Sequence, residues 1–150
     1  MELRILGCHG GETPKHRTSS FLVGDTLAVD AGAITSGLSL REQERIRAVL
    51  VSHPHMDHIR DLATLADNRC QQGGNTLDIV GIPETIQALR DHFFNDLIWP
   101  DFTKIDAKDG PTIRFVEVQP NAASEVDGYE VTPVLVNHTV DTSAFIIRHR

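Results

Sequence analysis

The sequence has 150 residues, which is enough to bury the core of one domain. With 40% of the residues hydrophobic and 23% charged, the composition is that of an ordinary globular protein and argues against a disordered chain. The formal net charge of −7 argues against broad electrostatic binding to nucleic acid or to an anionic membrane, although a bound cation can reverse the field locally and admit a phosphate substrate. The amino terminus lacks a signal-peptide pattern, no apolar run approaches the roughly 18 residues of a membrane span, and two cysteines make no disulfide framework, so a cytoplasmic protein is the simplest interpretation.

Apolar runs bounded by turn residues predict strands that alternate with helices along the chain. The first half is predicted to contain a strand at residues 3–6, a hairpin of residues 21–23 and 27–29, a helix at 40–46, a strand at 48–51 and a helix at 57–67. The second half is predicted to contain a strand at 77–80, a helix at 83–94, a strand at 113–118, a hairpin of residues 126 and 129–136, and a strand at 143–147. This alternation, without repeats or linkers, predicts one layered α/β domain.

Three imidazoles and a carboxylate follow the predicted strand at 48–51 within six residues, as His53, His55, Asp57 and His58. Zinc prefers imidazole nitrogen and carboxylate oxygen, and a catalytic zinc site leaves one position open for water. A chain that bends as it leaves a strand can direct the side chains at 53 and 55 to one metal and those at 57 and 58 to a second. Two metals held close together suit an in-line displacement at phosphorus. A surface histidine cluster at a strand–loop junction is the alternative, and the dense spacing disfavours it.

His138 is the natural third ligand of the first metal, because it follows the apolar residues 134–136 at the end of a predicted strand. Taken alone, a histidine at a strand end is as consistent with a structural role as with a functional one. Its position at a second strand end favours the functional role once the cluster at 53–58 is considered. The other four histidines, His9, His16, His92 and His149, are expected to be ordinary surface side chains.

The spacing H-x-H-x-D-H after a strand, with a later strand-end histidine, resembles the metallo-β-lactamase superfamily. Four stretches are similar, more specifically, to the bacterial 3′,5′-cyclic-nucleotide (cAMP) phosphodiesterases of that fold: residues 6–11, 17–20, 94–102 and 136–140. The resemblance extends over nearly the whole chain. The metal motif is specific only for the superfamily, and the segment around Trp99 directs the interpretation toward the phosphodiesterases.

The resemblance implies an αββα sandwich, of which this chain would supply the amino-terminal half as a single domain. It implies that His53, His55 and His138 hold a first metal and that Asp57 and His58 belong to a second. Two zinc ions per complete site are implied, with Mn²⁺ or Fe²⁺ as alternatives. A bridging aspartate and one further histidine are implied on strands beyond this chain.

The implied activity is hydrolysis of the phosphodiester of a 3′,5′-cyclic nucleotide by a metal-bound hydroxide, with Asp57 orienting the hydroxide as well as binding metal. Arg17, Ser19 and Ser20 would orient the phosphate or the metal motif, although such residues also serve as turn formers. Trp99 would stack on the base or would pack against the core. The glycines at 7, 10 and 11 would admit a phosphate or form a tight turn, and the sequence favours neither.

Two rival functions stay open. An RNA-processing nuclease of the same superfamily also carries glycines, arginine and serines near its start, and the acidic net charge counts against it. An inactive metal-binding remnant is the other, because part of the implied ligand set lies outside the chain. We therefore expect the isolated chain to be catalytically incompetent, and to aggregate or form a homodimer unless another segment covers the edge of the strand at 143–147.

Overall fold

The computed structural model describes residues 1–149, and within that range it contains two β-sheets. The larger sheet has six strands in the order β1 (Leu3–Gly7), β2 (Ser20–Val23), β3 (Leu27–Val29), β4 (Ala48–Leu50), β5 (Leu77–Gly81) and β6 (Ile113–Glu117). The smaller sheet has three: β7 (Ser124–Val126), β8 (Tyr129–Val136) and β9 (Thr142–His149). The helices are α1 (Ile34–Gly37), α2 (Leu40–Gln43), α3 (Met56–Ile59), α4 (Asp61–Gln71) and α5 (Pro83–His92).

The larger sheet is antiparallel from β1 to β3 and parallel from β3 to β6. Each parallel connection contains at least one helix, because a parallel strand can be reached only by a crossover. β4 lies in the middle of this sheet and is covered on both faces, so all three of its residues are buried and apolar. No helix among residues 1–149 has the length and apolar character needed to cross a membrane.

Two apolar cores separate three layers. Helix residues such as Ile34, Leu62 and Ile86 pack against one face of the large sheet, where Val49 and Ile79 are fully buried. The opposite face packs against the small sheet through a second core. That core includes Leu27, Leu50 and Val80 from the large sheet and Val126 and Val131 from the small one. The arrangement is therefore helix, sheet, sheet, and the α/β expectation is confirmed.

Every predicted strand is present, and the differences concern helices. The helix expected at 57–67 is divided into α3 and α4, because the amide of Asp61 donates to the carbonyl of Ala31 at 2.8 Å and not to the carbonyl four residues earlier. The helix expected at 40–46 ends at Gln43. There the buried Arg69 guanidinium donates hydrogen bonds to the carbonyls of Gln43 and Ile46. Helix α1, with four residues, is too short to be visible as a periodic pattern.

Gly32 lies where the segment after β3 crosses the start of α3, and it fixes how closely the two segments approach. A Cβ at this position would overlap the carbonyl oxygen of Asp57 and lie 2.7 Å from that of Ser19. Both are backbone atoms, so neither can move without moving its element. We predict that Gly32→Ala lowers the free energy of unfolding by about 3 kcal/mol, measured by urea denaturation.

Gly11→Ala is the matched control, since nothing lies within 4 Å of the Cβ that it would add. Its free energy of unfolding should stay within about 0.5 kcal/mol of the parent or rise slightly. Equal unfolding midpoints for Gly32→Ala and the parent would contradict the close approach at Gly32.

Candidate metal centre

The predicted ligands lie at the carboxyl edge of the parallel strands. β3 and β4 run side by side with Val29 opposite Leu50, so the residues that follow them emerge at the same edge. Asp30 directly follows β3, and Ser52 and His53 follow β4 after one residue. Open parallel sheets bind ligands at this edge, because loops from neighbouring strands converge there.

His138 reaches the same place from the second sheet, in the loop that joins β8 to β9. The amide of Ser143, at the start of β9, donates to the carbonyl of Ser52 at 3.0 Å. That hydrogen bond joins the second sheet to the segment that carries His53, although His53 and His138 lie 85 positions apart in the sequence. His53 is buried, His55 is half-buried and His138 is exposed, so the cluster is open on one side.

These three imidazoles are close enough to share one ion. One nitrogen from each of His53, His55 and His138 lies within 4.8 Å of the others. His53 Nε2 and His55 Nδ1 are 3.1 Å apart. Two nitrogens held at 2.0–2.1 Å by one tetrahedral zinc ion would lie about 3.3 Å apart. The donor set therefore fits a metal ion.

The protonation state of His53 suits this role. Burial, together with the nearby imidazoles of His58 and His55, lowers the pKa of His53 to about 4. At neutral pH the ring is therefore uncharged and keeps a nitrogen lone pair. A metal can take that lone pair without first displacing a proton.

Asp57 and His58 form a second pair beside the three imidazoles. His58 Nε2 lies 3.3 Å from Asp57 Oδ2, and the rings of His58 and His53 are 4.1 Å apart between centroids. The other nitrogen of His58, Nδ1, lies 2.7 Å from Asp30 Oδ2. Because an ionised carboxylate only accepts, Nδ1 must carry the proton, and the Nε2 lone pair of the neutral ring is directed toward Asp57.

Two acceptors at 3.3 Å need a proton or a cation between them. Burial acts to lower the pKa of His58, but the hydrogen bond to Asp30 and the charges of Asp30 and Asp57 outweigh burial and raise that pKa. A proton on Nε2 can therefore occupy this position, and a metal ion that binds both side chains would displace it.

Asp30 is the residue at this site that the motif at 53–58 does not predict. Its side chain is buried, and its backbone adopts a left-handed conformation with φ of 57°. The carboxylate accepts from the Ser52 amide at 2.8 Å, from the Ser52 hydroxyl at 2.9 Å and from His58. Asp30 thus orients the predicted ligand His58 through the ring nitrogen that faces away from Asp57, as carboxylates commonly do for metal-binding histidines. Its position directly after an apolar strand, before Ala-Gly-Ala, is the available sequence signal.

The residues predicted to orient substrate, Arg17, Ser19 and Ser20, lie outside the imidazole cluster, and the two serines contact the segment that begins at Asp30. The Ser20 hydroxyl is buried and donates to the carbonyl of Asp30 at 2.9 Å. The carbonyl of Ser19 accepts from the Gly32 amide at 2.9 Å. Arg17 is exposed in the loop between β1 and β2. Their proposed contacts with substrate stay predictions.

Trp99 is half-buried and packs against the helix-side core. Its amide donates to the carbonyl of Phe93 at 3.1 Å, which fixes the loop after α5. The indole Nε1 is buried and has no hydrogen-bond partner among residues 1–149. Packing is thus one role of this ring, and base recognition stays a prediction.

Asp30→Asn tests whether this carboxylate sets the tautomer of His58. The amide would present an N–H where Asp30 Oδ2 now accepts, so the proton of neutral His58 should move from Nδ1 to Nε2. The pKa of His58 should also fall, because burial remains while the charge that raises it is removed. Both changes are read from imidazole ¹H–¹⁵N NMR spectra over a pH series.

Asp67→Asn, on helix α4, is the control for this experiment and should leave the His58 resonances in place. The same His58 tautomer in Asp30→Asn and the parent would show that Asp30 does not orient the ring.

Comparison with known proteins agrees with the resemblance. The chain matches the family described as class-II cAMP phosphodiesterases over residues 33–149. It is 31% identical over 93 residues to 3′,5′-cyclic-nucleotide phosphodiesterase 1 of Saccharomyces cerevisiae, covering 60% of this chain and 24% of that protein. It is 30% identical over 138 residues to the corresponding enzyme of Schizosaccharomyces pombe, covering 87% and 38%. Ribonuclease Z of Lactobacillus helveticus is 29% identical over 162 aligned positions, covering 97% and 47%. The chain thus spans a quarter to a half of these curated relatives.

Solved structures show the same fold. Unliganded yeast PDE1 superposes with a TM-score of 0.81 at 23% identity, covering 97% of this chain and 61% of that one. The metallo-β-lactamase fold protein YhfI from Bacillus subtilis superposes with a TM-score of 0.70 at 26% identity, covering 97% and 56%. The expectations of fold and family are confirmed: the chain has a metallo-β-lactamase fold and belongs to the family of class-II cAMP phosphodiesterases.

Proposed function

We propose that this chain carries the first-metal ligands of a cytoplasmic, metal-dependent phosphodiesterase that opens the ring of a 3′,5′-cyclic nucleotide. The observation that supports it most is the convergence of three imidazole nitrogens within 4.8 Å, in a chain that belongs to a phosphodiesterase family. The activities named for the yeast relatives give the substrate class.

In this proposal His53, His55 and His138 hold the first metal, and Asp57 and His58 contribute to the second. Zinc is proposed because imidazole and carboxylate suit it, and Mn²⁺ or Fe²⁺ remain alternatives. When bound, such an ion lowers the pKa of water and neutralises charge on the phosphoryl oxygens.

The side chains of this chain perform the remaining tasks. Asp57 Oδ2 accepts a hydrogen bond from the attacking water and so orients its oxygen toward phosphorus. Asp30 keeps the proton of His58 on Nδ1, which leaves Nε2 beside Asp57 free to bind. Water adds to phosphorus as one phosphorus–oxygen ester bond breaks, and the leaving ribose oxygen takes up a proton, giving a nucleoside monophosphate.

An RNA-processing nuclease is the second candidate function. It is supported by the similarity to ribonuclease Z, which extends along 97% of this chain. The net charge of −7 counts against it, because RNA binding is dominated by contacts of basic side chains with phosphates. A small cyclic nucleotide does not require an extended basic surface.

His55→Ala tests the first metal site. Removing one of three imidazoles should weaken zinc binding at least about 100-fold, so that dialysed protein retains far less than one zinc per chain. The measurement is metal content by mass spectrometry with a competition titration. His92→Ala, an exposed histidine on α5, is the matched control and should keep the parent content. Equal zinc content in His55→Ala and the parent would contradict the assignment.

Turnover of 3′,5′-cyclic AMP beside a tRNA precursor tests the activity. Asp57 and His58 are the two second-metal candidates that lie together among residues 1–149, so we predict slow turnover by this chain alone. A longer form that supplies further ligands should hydrolyse the cyclic nucleotide faster by orders of magnitude. Cleavage of the tRNA precursor without hydrolysis of the cyclic nucleotide would favour the nuclease. Equal cyclic-nucleotide rates from the two forms would mean that this chain completes its own site.

A further inference from the structure

Gly10 and Gly11 lie in the loop between β1 and β2, next to the candidate metal centre. A Cβ at Gly10 would lie 3.8 Å from Asp57 Oδ2, which is ordinary van der Waals distance. A Cβ at Gly11 would have nothing within 4 Å. Both glycines are exposed, so the space above them is open to solvent and borders the carboxylate of Asp57.

The fold gives no reason for glycine at these two positions. Glycine is required where φ is positive or where another backbone approaches closely. Neither residue has a positive φ. Gly7 shows the contrast in the same segment, because a Cβ there would overlap the carbonyl oxygen of Thr18 and lie 2.8 Å from that of Arg17. Gly7 therefore serves the fold, whereas Gly10 and Gly11 leave room for something outside the chain.

The loop is held in place and does not simply project into solvent. The amides of Cys8 and His9 both donate to the carbonyl of Arg17, at 3.2 and 3.1 Å. On the other side of the glycines, Glu12 forms an ion pair with Arg60. Arg60 Nε also donates to the carbonyl of Gly32 at 3.0 Å, which connects the loop to the start of α3 and α4. The position of Gly10 beside Asp57 is thus fixed from both ends.

The amides that this loop presents are available to a ligand. Among residues 1–149, the backbone N–H groups of Gly10, Gly11 and Glu12 donate to no other group of the protein. Successive amides without side chains between them allow an anion to approach closely, and they favour phosphate oxygens. Arg17, which is exposed in the same loop, adds positive charge, whereas the charge of Arg60 is balanced by Glu12.

From this geometry we infer that Gly10 and Gly11 form a phosphoryl-oxygen subsite. The amides of the loop receive the non-bridging oxygens of a phosphodiester whose phosphorus faces Asp57. The inference rests on the proposed function for the identity of the ligand, and it adds residues that position the reacting phosphate. Because no side chain fills the space at 10 and 11, the phosphate can approach the amides of the loop beside Asp57.

Gly10→Ala and Gly11→Ala test this subsite in zinc-loaded protein. One probe is inorganic phosphate, whose binding is followed by calorimetry and ³¹P NMR. The other is 3′,5′-cyclic AMP, in the activity assay of the longer form that supplies further metal ligands. We expect the Kd for phosphate to rise about 10-fold or more, as for the loss of a hydrogen bond to a charged group. The KM for cyclic AMP should rise similarly, while zinc content and melting temperature match the parent.

Lys15→Ala, at the exposed tip of the same loop, is the control and should change the Kd for phosphate less than 2-fold. An unchanged Kd for phosphate in both glycine variants overturns the subsite, whether or not the protein turns over a cyclic nucleotide. Loss of zinc from either variant also overturns it, since the glycines would then serve the metal. If phosphate binding weakens as expected but the longer form hydrolyses no phosphodiester, the subsite stands and the proposed function fails.

Discussion

A buried carboxylate at the junction of two parallel strands determines the geometry of the candidate site. Asp30 turns the chain away from β3 in a left-handed conformation, which directs its side chain toward the end of β4. Burying an ionised carboxylate is costly unless donors surround it, and here three donors come from Ser52 and His58. Ser52 immediately precedes His53, and His58 is itself a predicted ligand. The hydrogen bonds that the Asp30 carboxylate accepts therefore orient residues on both sides of the candidate centre.

The second sheet completes the arrangement through packing and a backbone hydrogen bond. The apolar core between the sheets sets their spacing, and the bond from Ser143 to Ser52 fixes their relative position at the carboxyl edge. The loop between β8 and β9 then brings His138 within 4.7 Å of His53, measured between ring centroids. A loop can supply this ligand because the strands on either side of it are rigid, so the imidazole is placed by the sheet and not by local sequence.

A structural feature could be predicted from this sequence when the residues that determine it are neighbours in the chain. The strands were predictable because apolar runs and turn residues are contiguous in the sequence, and the cluster at 53–58 was predictable because its side chains are neighbours. Asp30 was not predictable, since its importance comes from Ser52 and His58, which lie 22 and 28 residues away. Only the parallel pairing of β3 with β4 brings these residues close to it. The glycines at 7, 10 and 11 look alike in sequence, and only the packing around each shows that Gly7 serves the fold. Helix division at Arg60 likewise depends on Ala31, a non-local acceptor.

The two edges of the large sheet differ in how their charges are balanced. At the amino edge arginines and carboxylates compensate one another, as in the two 2.8 Å contacts between Arg114 and Asp78, so little net field is left for a ligand. At the carboxyl edge Asp30 and Asp57 face His53, which is neutral at pH 7, and a single His58. Without bound cations this edge carries negative charge and repels an anionic phosphate. In the proposed function, metal and phosphate binding are therefore coupled, and because such coupling is reciprocal, bound phosphate should in turn strengthen the binding of the metal.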